Sequence, residues 1–184
     1  MTVRRGRDFI LRPVLRQDYD QLYLLALSGE NAIRWKYRGS TPSPEAFAAQ
    51  LWAGVFAQYV VARPETGAIV GLVGAYQVDP ASGTAFIFAL GDPDAVNSTV
   101  VFRGLVLFCD AILRSRGFRK LYFEVSDFNL PQFESTIRRG AMRIEGRLIE
   151  HEAIGGAYVD LLTLAVTQDH WRDYWSRLAD WIAH

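Results

Sequence analysis

Three side chains that start helices well, Asn97, Ser98 and Thr99, stand in a row inside "FALGDPDAVNSTVVFRG", residues 88–104. An apolar run ends before them at Leu90, and apolar residues resume after them at Val100. A strand-to-helix loop of this kind suits one task. The first turn of a helix carries backbone N–H groups without intrahelical partners and the positive end of the helix dipole, so it receives an anion such as a diphosphate. Loops that do this are usually rich in glycine, because their amides must come close to the anion. Here no glycine lies between Gly91 and Gly104. Two readings stay open. Either the amides of residues 97–101 and the hydroxyls of Ser98 and Thr99 form a rebuilt anion site, or Val96, Val100 and Val101 simply pack a helix against a sheet.

A second stretch, "AIRWKYRGSTPSP" (32–44), spends Trp35, Lys36, Tyr37 and Arg38 in four consecutive places. Trp35 and Tyr37 offer faces on which a ligand can stack, and Arg38 offers a fork that pairs bidentately with a carboxylate. The alternative is an aromatic loop folded back on its own domain. Candidates for a general base are Asp92, Glu124, Asp127, Glu150, His151 and Asp160. Glu124 alternates with Phe123 and Val125 on a strand that reads as central, so it reaches a gap in the sheet or pairs with an arginine. His151 sits among acids in "IEHEA", where exposure is expected. Three scattered histidines and one cysteine give no metal-ligand spacing. Cys109, inside "LVLFCDAIL", reads as a small core residue.

These side chains need a frame, and the hydrophobic pattern supplies one. "FILRPV" (9–14) opens as a strand, and "RQDYDQLYLLALS" follows as a helix that ends at Gly29. "RWKYRGSTP" is irregular. "SPEAFAAQLWAGVF" begins a helix with Ser43 as N-cap and Pro44 at the first helical position. "QYVVAR" and "AIVGLVGAYQV" are strands around "PETG", and "TAFIFAL" is a third strand after "PASG". "TVVFRGLVLFCDAILRSRG" is apolar nearly all round, which predicts a buried helix ending at Gly117. "KLYFEV" is a strand, "LPQFESTIRRG" a short helix, and "MRIEGRLIEHEAIGGAYVDLLTLAV" a hairpin turning at Gly155 and Gly156. "TQDHWRDYWSRLADWIAH" closes as an amphipathic helix with Trp171, Tyr174, Trp175, Leu178, Trp181 and Ile182 on one face. That face either docks on its own sheet, the favoured reading, or forms a dimer contact. Strands followed by crossover helices predict an α/β fold, a mixed sheet with helices on both faces.

The totals bound the function. The chain has 184 residues, half of them apolar and 13% aromatic, and reads as one domain, 1–184, rather than as disorder. Twenty basic residues balance twenty acidic ones, which gives no electrostatic reason to expect nucleic acid or an anionic membrane as a partner. One cysteine excludes an internal disulfide. "MTVRRGRDF" is basic without a signal-length apolar run after it, and no run of 18 apolar residues occurs, so a cytoplasmic location is expected.

The order of elements resembles the GCN5-related N-acetyltransferase superfamily, in particular its ribosomal-protein alanine acetyltransferase-like branch, and residues carry the likeness too. "FILRPVLRQDYDQLYLL" looks like that branch's opening, and "LGDPD" like its Asp-Pro after the fourth strand. "RSRGFRKLYFEVSDFN" is similar to the run into its fifth strand and the following Asn. "RRGAMRIEGRL" and "GGAYVDLLTLAV" are similar to its closing segments. The likeness spans residues 9–166, with 167–184 as an added C-terminal helix.

The resemblance implies a fold with a central twisted mixed sheet of about seven strands, in which two parallel strands, here "TAFIFAL" and "KLYFEV", splay to admit the donor. It implies acetyl-CoA or another acyl-CoA as donor substrate, an amine of a small molecule or peptide as acceptor, and no metal. The amine attacks the thioester directly, a base takes its proton, and an amide steadies the oxyanion. Carried over by position, Leu90 and Gly91 offer backbone to pantetheine, and Asn97, Ser98, Thr99, Val100 and Val101 line the diphosphate loop. Asn129 holds pantetheine, Arg138 meets a phosphate, and Trp35, Tyr37 and Arg38 face the acceptor. The family's diphosphate pattern, Arg/Gln-x-x-Gly-x-Gly/Ala, falls here on Val96, Thr99 and Val101, all departures. The thiolate acid, a Tyr in many members, falls on Thr136 beside Ser135, and Glu124 is the base considered first. The alternatives are a non-catalytic binding module with a lost CoA loop and an acyltransferase that takes its acyl group from a carrier protein. The expected state is a monomer or a homodimer.

Overall fold

Among the described residues eight strands form one mixed sheet, seven of them rich in strand-forming residues and the eighth a short arginine pair. The computed structural model describes residues 3–6, 8–92, 98–115 and 117–183. In chain order the strands are β1 (Arg4–Arg5), β2 (Ile10–Pro13), β3 (Val55–Ala62), β4 (Ile69–Asp79), β5 (Thr84–Gly91), β6 (Lys120–Ser126), β7 (Arg143–Ile154) and β8 (Ala157–Thr167). The sheet order is β1-β2-β3-β4-β5-β6-β8-β7. The helices are α1 (Tyr19–Leu27), α2 (Asn31–Arg34), α3 (Pro44–Gln50), α4 (Ser98–Ser115), α5 (Glu134–Arg138) and α6 (Gln168–Ala183). The chain falls into two compact units, residues 1–77 with 89–108, and residues 78–88 with 109–184. Strands β4 and β5 and helix α4 contribute residues to both.

In the first unit, β1 to β4 form an antiparallel run. β2 meets β3 from Ile10↔Ala62 to Pro13↔Tyr59, and β3 meets β4 with bulges near Val55 and Val61. The core is apolar and close-packed, with Phe9, Leu11, Leu22, Phe47, Val60 and Leu72 fully buried. One polar staple closes the turn after β2. Arg12 holds the buried Asp18 with two nitrogens at 2.6 and 2.8 Å, and the Leu15 amide donates to the same carboxylate at 2.7 Å. Burial alone would raise the Asp18 pKa. The Arg12 hydrogen bonds, the Leu15 amide and the guanidinium charge outweigh it, and the pKa lies below the usual range. Helix α3 starts as its sequence demands, with the Ser43 hydroxyl accepting from the Ala46 amide at 3.2 Å and Pro44 first in the helix.

In the second unit, β6 pairs antiparallel with β8 along its whole length, and β7 pairs with β8 as the closing hairpin. Glu150 takes a positive φ of 50° where the β7–β8 register shifts, and Asp160 accepts from its amide at 2.8 Å and from the Arg147 side chain. The tail docks on its own unit. Trp171, Tyr174 and Leu178 are buried, and the Trp171 indole donates to Asp110 at 3.2 Å. Arg114 donates to the same carboxylate at 2.5 Å and lies over the Trp175 ring. Trp181 and Ile182, on the expected apolar face, have side chains outside the described residues, as does His184 as a whole.

Sequence and structure differ in places. Where about seven strands were expected, the sheet has eight among the described residues, the two-residue pair at Arg4–Arg5 adding an edge. β3 begins at Val55, inside a stretch whose spacing suited the end of a helix, since pairing with β4 outweighs a weak local preference. "LPQFESTIRRG" is not one helix. A 3₁₀ segment, Asp127–Gln132, carries Asn129, and only Glu134–Arg138 is α-helical. Pro131 has no N–H to give and disfavours a helical residue before it. A short helix, α2, stands just before the irregular 35–43 loop. Among the described residues no helix is long and apolar enough to cross a membrane.

Candidate functional site

The first unit carries the candidate diphosphate loop and the aromatic loop. Helix α4 is described from Ser98 on, and Asn97 and the side chain of Ser98 lie outside the described residues. Thr99 is exposed, whereas Val100 and Val101 are 1% and 8% exposed. The two valines are core, so only their amides remain available to an anion. Val101, which takes a position the resemblance gives to Gly or Ala, is accommodated by a glycine on the neighbouring strand. A Cβ on Gly71 would lie 2.8 and 2.9 Å from the Val101 methyls, and one on Gly91 would lie 3.6 Å from the nearer of them. The bulk lost at Gly71 matches the bulk gained at Val101.

The end of β5 is also partly committed. The Asp92 amide donates to Val70 at 2.9 Å, and the Asn31 amide group donates to Gly91 at 2.9 Å and to Leu25 at 3.0 Å. Asn31 thus ties the end of α1 to the backbone that the resemblance gives to pantetheine. The Gly91 carbonyl keeps a second lone pair. Leu90 is buried. Sequence reasoning missed both Asn31 and Gly71. The signal for Gly71 was present, because a glycine inside "IVGLVG" marks a close backbone or side-chain approach.

The loop after α2 folds back on the first unit. Trp35 and Tyr37 meet edge to face at 5.9 Å, Tyr37 tilts on Phe47 at 6.1 Å, and Phe47 meets Tyr23 edge to face at 5.5 Å. The Tyr23 hydroxyl donates to Pro42 at 2.9 Å. Arg38 adopts a left-handed φ of 48° and is exposed, and Gly39 follows at 86°. The Tyr37 hydroxyl is buried without a hydrogen-bond partner among the described residues, and burial raises its pKa. Lys36 is an exposed residue whose ammonium is nonetheless packed by protein, and that burial lowers its pKa.

The second unit carries the candidate thiolate end. β5 and β6 run parallel, but among the described residues their register covers only Thr84↔Lys120, Ala85↔Leu121 and Phe86↔Tyr122. β6 pairs with β8 from Lys120↔Thr167 to Ser126↔Leu161. Phe86 and Tyr122 stack at 5.2 Å where the parallel ladder ends. Glu124 lies two residues beyond and is exposed. Asn129 is half-buried and accepts from the Gln132 side chain at 3.4 Å. Ser135 and Arg138 are exposed. Thr136 is different. It is 5% exposed, and its hydroxyl has no hydrogen-bond partner among the described residues. A buried hydroxyl without a partner costs about 1–3 kcal/mol, so its presence calls for a reason. The Phe123 and Phe133 rings tilt together at 6.4 Å nearby in sequence.

Other residues singled out in the sequence take structural roles. Cys109 is buried, and burial pushes its thiol far above the ordinary range, which removes it as a nucleophile. His151 is exposed. His170 bonds Arg143 and Thr167 at the start of α6. Among the described residues no group of His, Cys, Asp and Glu is placed to hold a metal.

No protein-family model and no curated relative matches the sequence. Solved structures do match its fold. A GCN5-related N-acetyltransferase from Brucella melitensis is 21% identical with a TM-score of 0.76, over 99% of this chain and 86% of that one. A probable acetyltransferase of the same family from Chromobacterium violaceum is 18% identical with a TM-score of 0.73, over 93% of this chain and 88% of that one. A spermidine/spermine N-acetyltransferase from Vibrio cholerae is 18% identical with a TM-score of 0.71, over 91% of this chain and 96% of that one.

Proposed function

We propose that this chain, which has the fold of the GCN5-related N-acetyltransferases, is an N-acyltransferase that moves an acyl group, acetyl first among them, from acyl-CoA to an amine. The observation that carries the reading is the parallel β5–β6 ladder, whose register among the described residues runs over Thr84↔Lys120, Ala85↔Leu121 and Phe86↔Tyr122. In this fold the gap beyond such a parallel pair is where the resemblance puts the thioester. The donor is a substrate, and the residues fit its two ends unequally. At the thioester end, the orphaned Thr136 hydroxyl suits a sulfur, which takes one hydrogen bond as the thiolate forms. At the diphosphate end, α4 offers the amides and positive dipole end of a helix, while the side chains of Val100 and Val101 are buried in the core.

The division of labour follows from the chemistry. The acceptor must lose a proton before or as it attacks, and Glu124, exposed on β6 just past the ladder, is the carboxylate proposed to take it. The tetrahedral oxyanion needs an N–H donor, a part the resemblance gives to a backbone amide. The thiolate leaves against Thr136, with Ser135 beside it in sequence. Asn129 and Arg138 are proposed to hold the pantetheine and a phosphate. Trp35, Tyr37 and Arg38 form the acceptor side.

Thr136→Val tests this reading, because structure and catalysis move in opposite directions. Removing an unpartnered buried hydroxyl while keeping the shape should leave stability unchanged or raise it. The same change should lower the rate of CoA release from acetyl-CoA with an amine acceptor by about tenfold, the loss of one hydrogen bond of about 1.4 kcal/mol. An equal rate in wild type and variant removes Thr136 from the mechanism. Calorimetric titration with acetyl-CoA, longer acyl-CoAs and free CoA tests the donor itself, with dissociation constants in the tens of micromolar expected, about −6 kcal/mol.

A second reading is favoured by one observation, the fit of Val101 against Gly71 and Gly91. If that packing has closed the diphosphate site, the fold is kept as a non-catalytic binding module. No heat with any CoA species decides for it.

A further inference from the structure

The ammonium of Lys36 lies 5.3 Å from the centre of the Trp35 ring and 5.2 Å from that of Tyr37, and it donates to the Gln50 carbonyl at 3.3 Å. Gln50 is the last residue of α3, so its carbonyl stands at the negative end of that helix. Among the described residues no carboxylate pairs with Lys36. The cation is therefore held by two ring faces and one carbonyl, all neutral. That is the composition of a site for an organic cation, in which weakly hydrated positive charge sits against aromatic faces.

The walls do not depend on the lysine for their position. The loop is fixed by its own backbone, with the Gly39 amide donating to Ala32 at 2.7 Å, Arg38 to Trp35 at 3.0 Å and Ser40 to Tyr37 at 2.9 Å. Tyr37 is further braced by Phe47. Lys36 itself is exposed, so its side chain can swing into water and regain rotamer freedom at small cost. The rigid part is the cage, and the loose part is its occupant.

We propose that Trp35, Tyr37 and the Gln50 carbonyl form a binding site for a ligand bearing an alkylammonium group, and that Lys36 occupies it as an internal competitor the ligand displaces. The site stands apart from the acyltransferase reading, since binding is measured without any thioester. In an acyltransferase it would anchor the cationic part of an acceptor.

The test uses n-butylammonium as probe and n-butanol as its neutral counterpart. The five indole N–H signals of the full chain are followed by NMR, with Trp35 assigned through Trp35→Phe. Lys36→Met keeps the hydrocarbon stem and removes the competitor. Butylammonium should shift the Trp35 signal in both proteins, and Lys36→Met should bind it about fivefold more tightly, which is about 1 kcal/mol at 1.4 kcal/mol per tenfold. Butanol should shift neither. Equal affinity in the two proteins, an equal response to butanol, or a shift confined to the other tryptophans overturns the proposal. Lys36→Ala repeats the comparison if the methionine itself fills the cage.

Discussion

The fit between Gly71 and Val101 can be measured as a coupling. Gly71→Ala alone introduces a methyl 2.8 and 2.9 Å from the two Val101 methyls and 3.1 Å from the Leu90 carbonyl oxygen. Neither neighbour yields freely, because Val101 is fixed at the start of α4 and Leu90 belongs to β5. Overpacking of this kind costs about 1–3 kcal/mol, and about 2 is expected here. Val101→Ala alone removes two buried methyls and leaves a small void. At about 0.8 kcal/mol per methyl plus a cavity contribution it also costs about 2 kcal/mol. If the effects were independent, the double variant would lose about 4 kcal/mol. The structure predicts otherwise, because the methyl introduced at position 71 enters the space that the valine methyls vacate. The double variant should lose about 2–3 kcal/mol, a favourable coupling of about 1–2 kcal/mol. Urea unfolding of the four proteins at 25 °C measures it, with equal m-values required for the comparison. Additivity within about 0.5 kcal/mol would refute the packing argument, since contacting residues with one shared void must couple.

Other outcomes follow from the polar staple and the tail. Asp18→Asn should lower stability by about 2–3 kcal/mol, below the usual range for a fully buried pair because the Arg12 side chain is 21% exposed and can rehydrate. The Asp18 pKa is lowered in the folded state, so its contribution is complete above the ordinary carboxylate range and is lost as pH falls through the lowered value. The gap in melting temperature between wild type and Asp18→Asn should therefore narrow below about pH 4 and stay constant from about pH 6 to 8, which thermal scans across pH check. Trp171→Phe removes the indole N–H that Asp110 accepts and should cost about 1–2 kcal/mol, seen as a fall of roughly 3–6 °C in calorimetry. Its mass by light scattering should not change, and a change would mean that α6 serves a contact between copies instead.

The sequence by itself determined the frame. Period-two runs, N-cap Ser43 and the glycines after helices are local signals, and β2, α1, α3, β5, α4, β6, the closing hairpin and α6 follow them. The order of those elements with "LGDPD" and "RSRGFRKLYFEVSDFN" was enough to identify the fold. Local signals reached only part of the site. That a helix follows the Asn97–Thr99 run was legible, because helix propensity and apolar pattern act within a few turns. Whether Val101 fills or blocks its loop was not, because that depends on Gly71, which is distant in the chain and adjacent only once α4 packs against β4. The role of Asn31 depends likewise on the end of β5. The faces of Trp35 and Tyr37 were legible as residue types, but tertiary folding decided that they close on Lys36, because a loop's side chains point where its backbone hydrogen bonds and the Phe47 ring allow. Thr136 shows the same limit. Its place as a candidate came from the resemblance, but its buried hydroxyl without a partner among the described residues exists only after α5 has packed, since burial is a property of neighbours brought together from elsewhere in the chain.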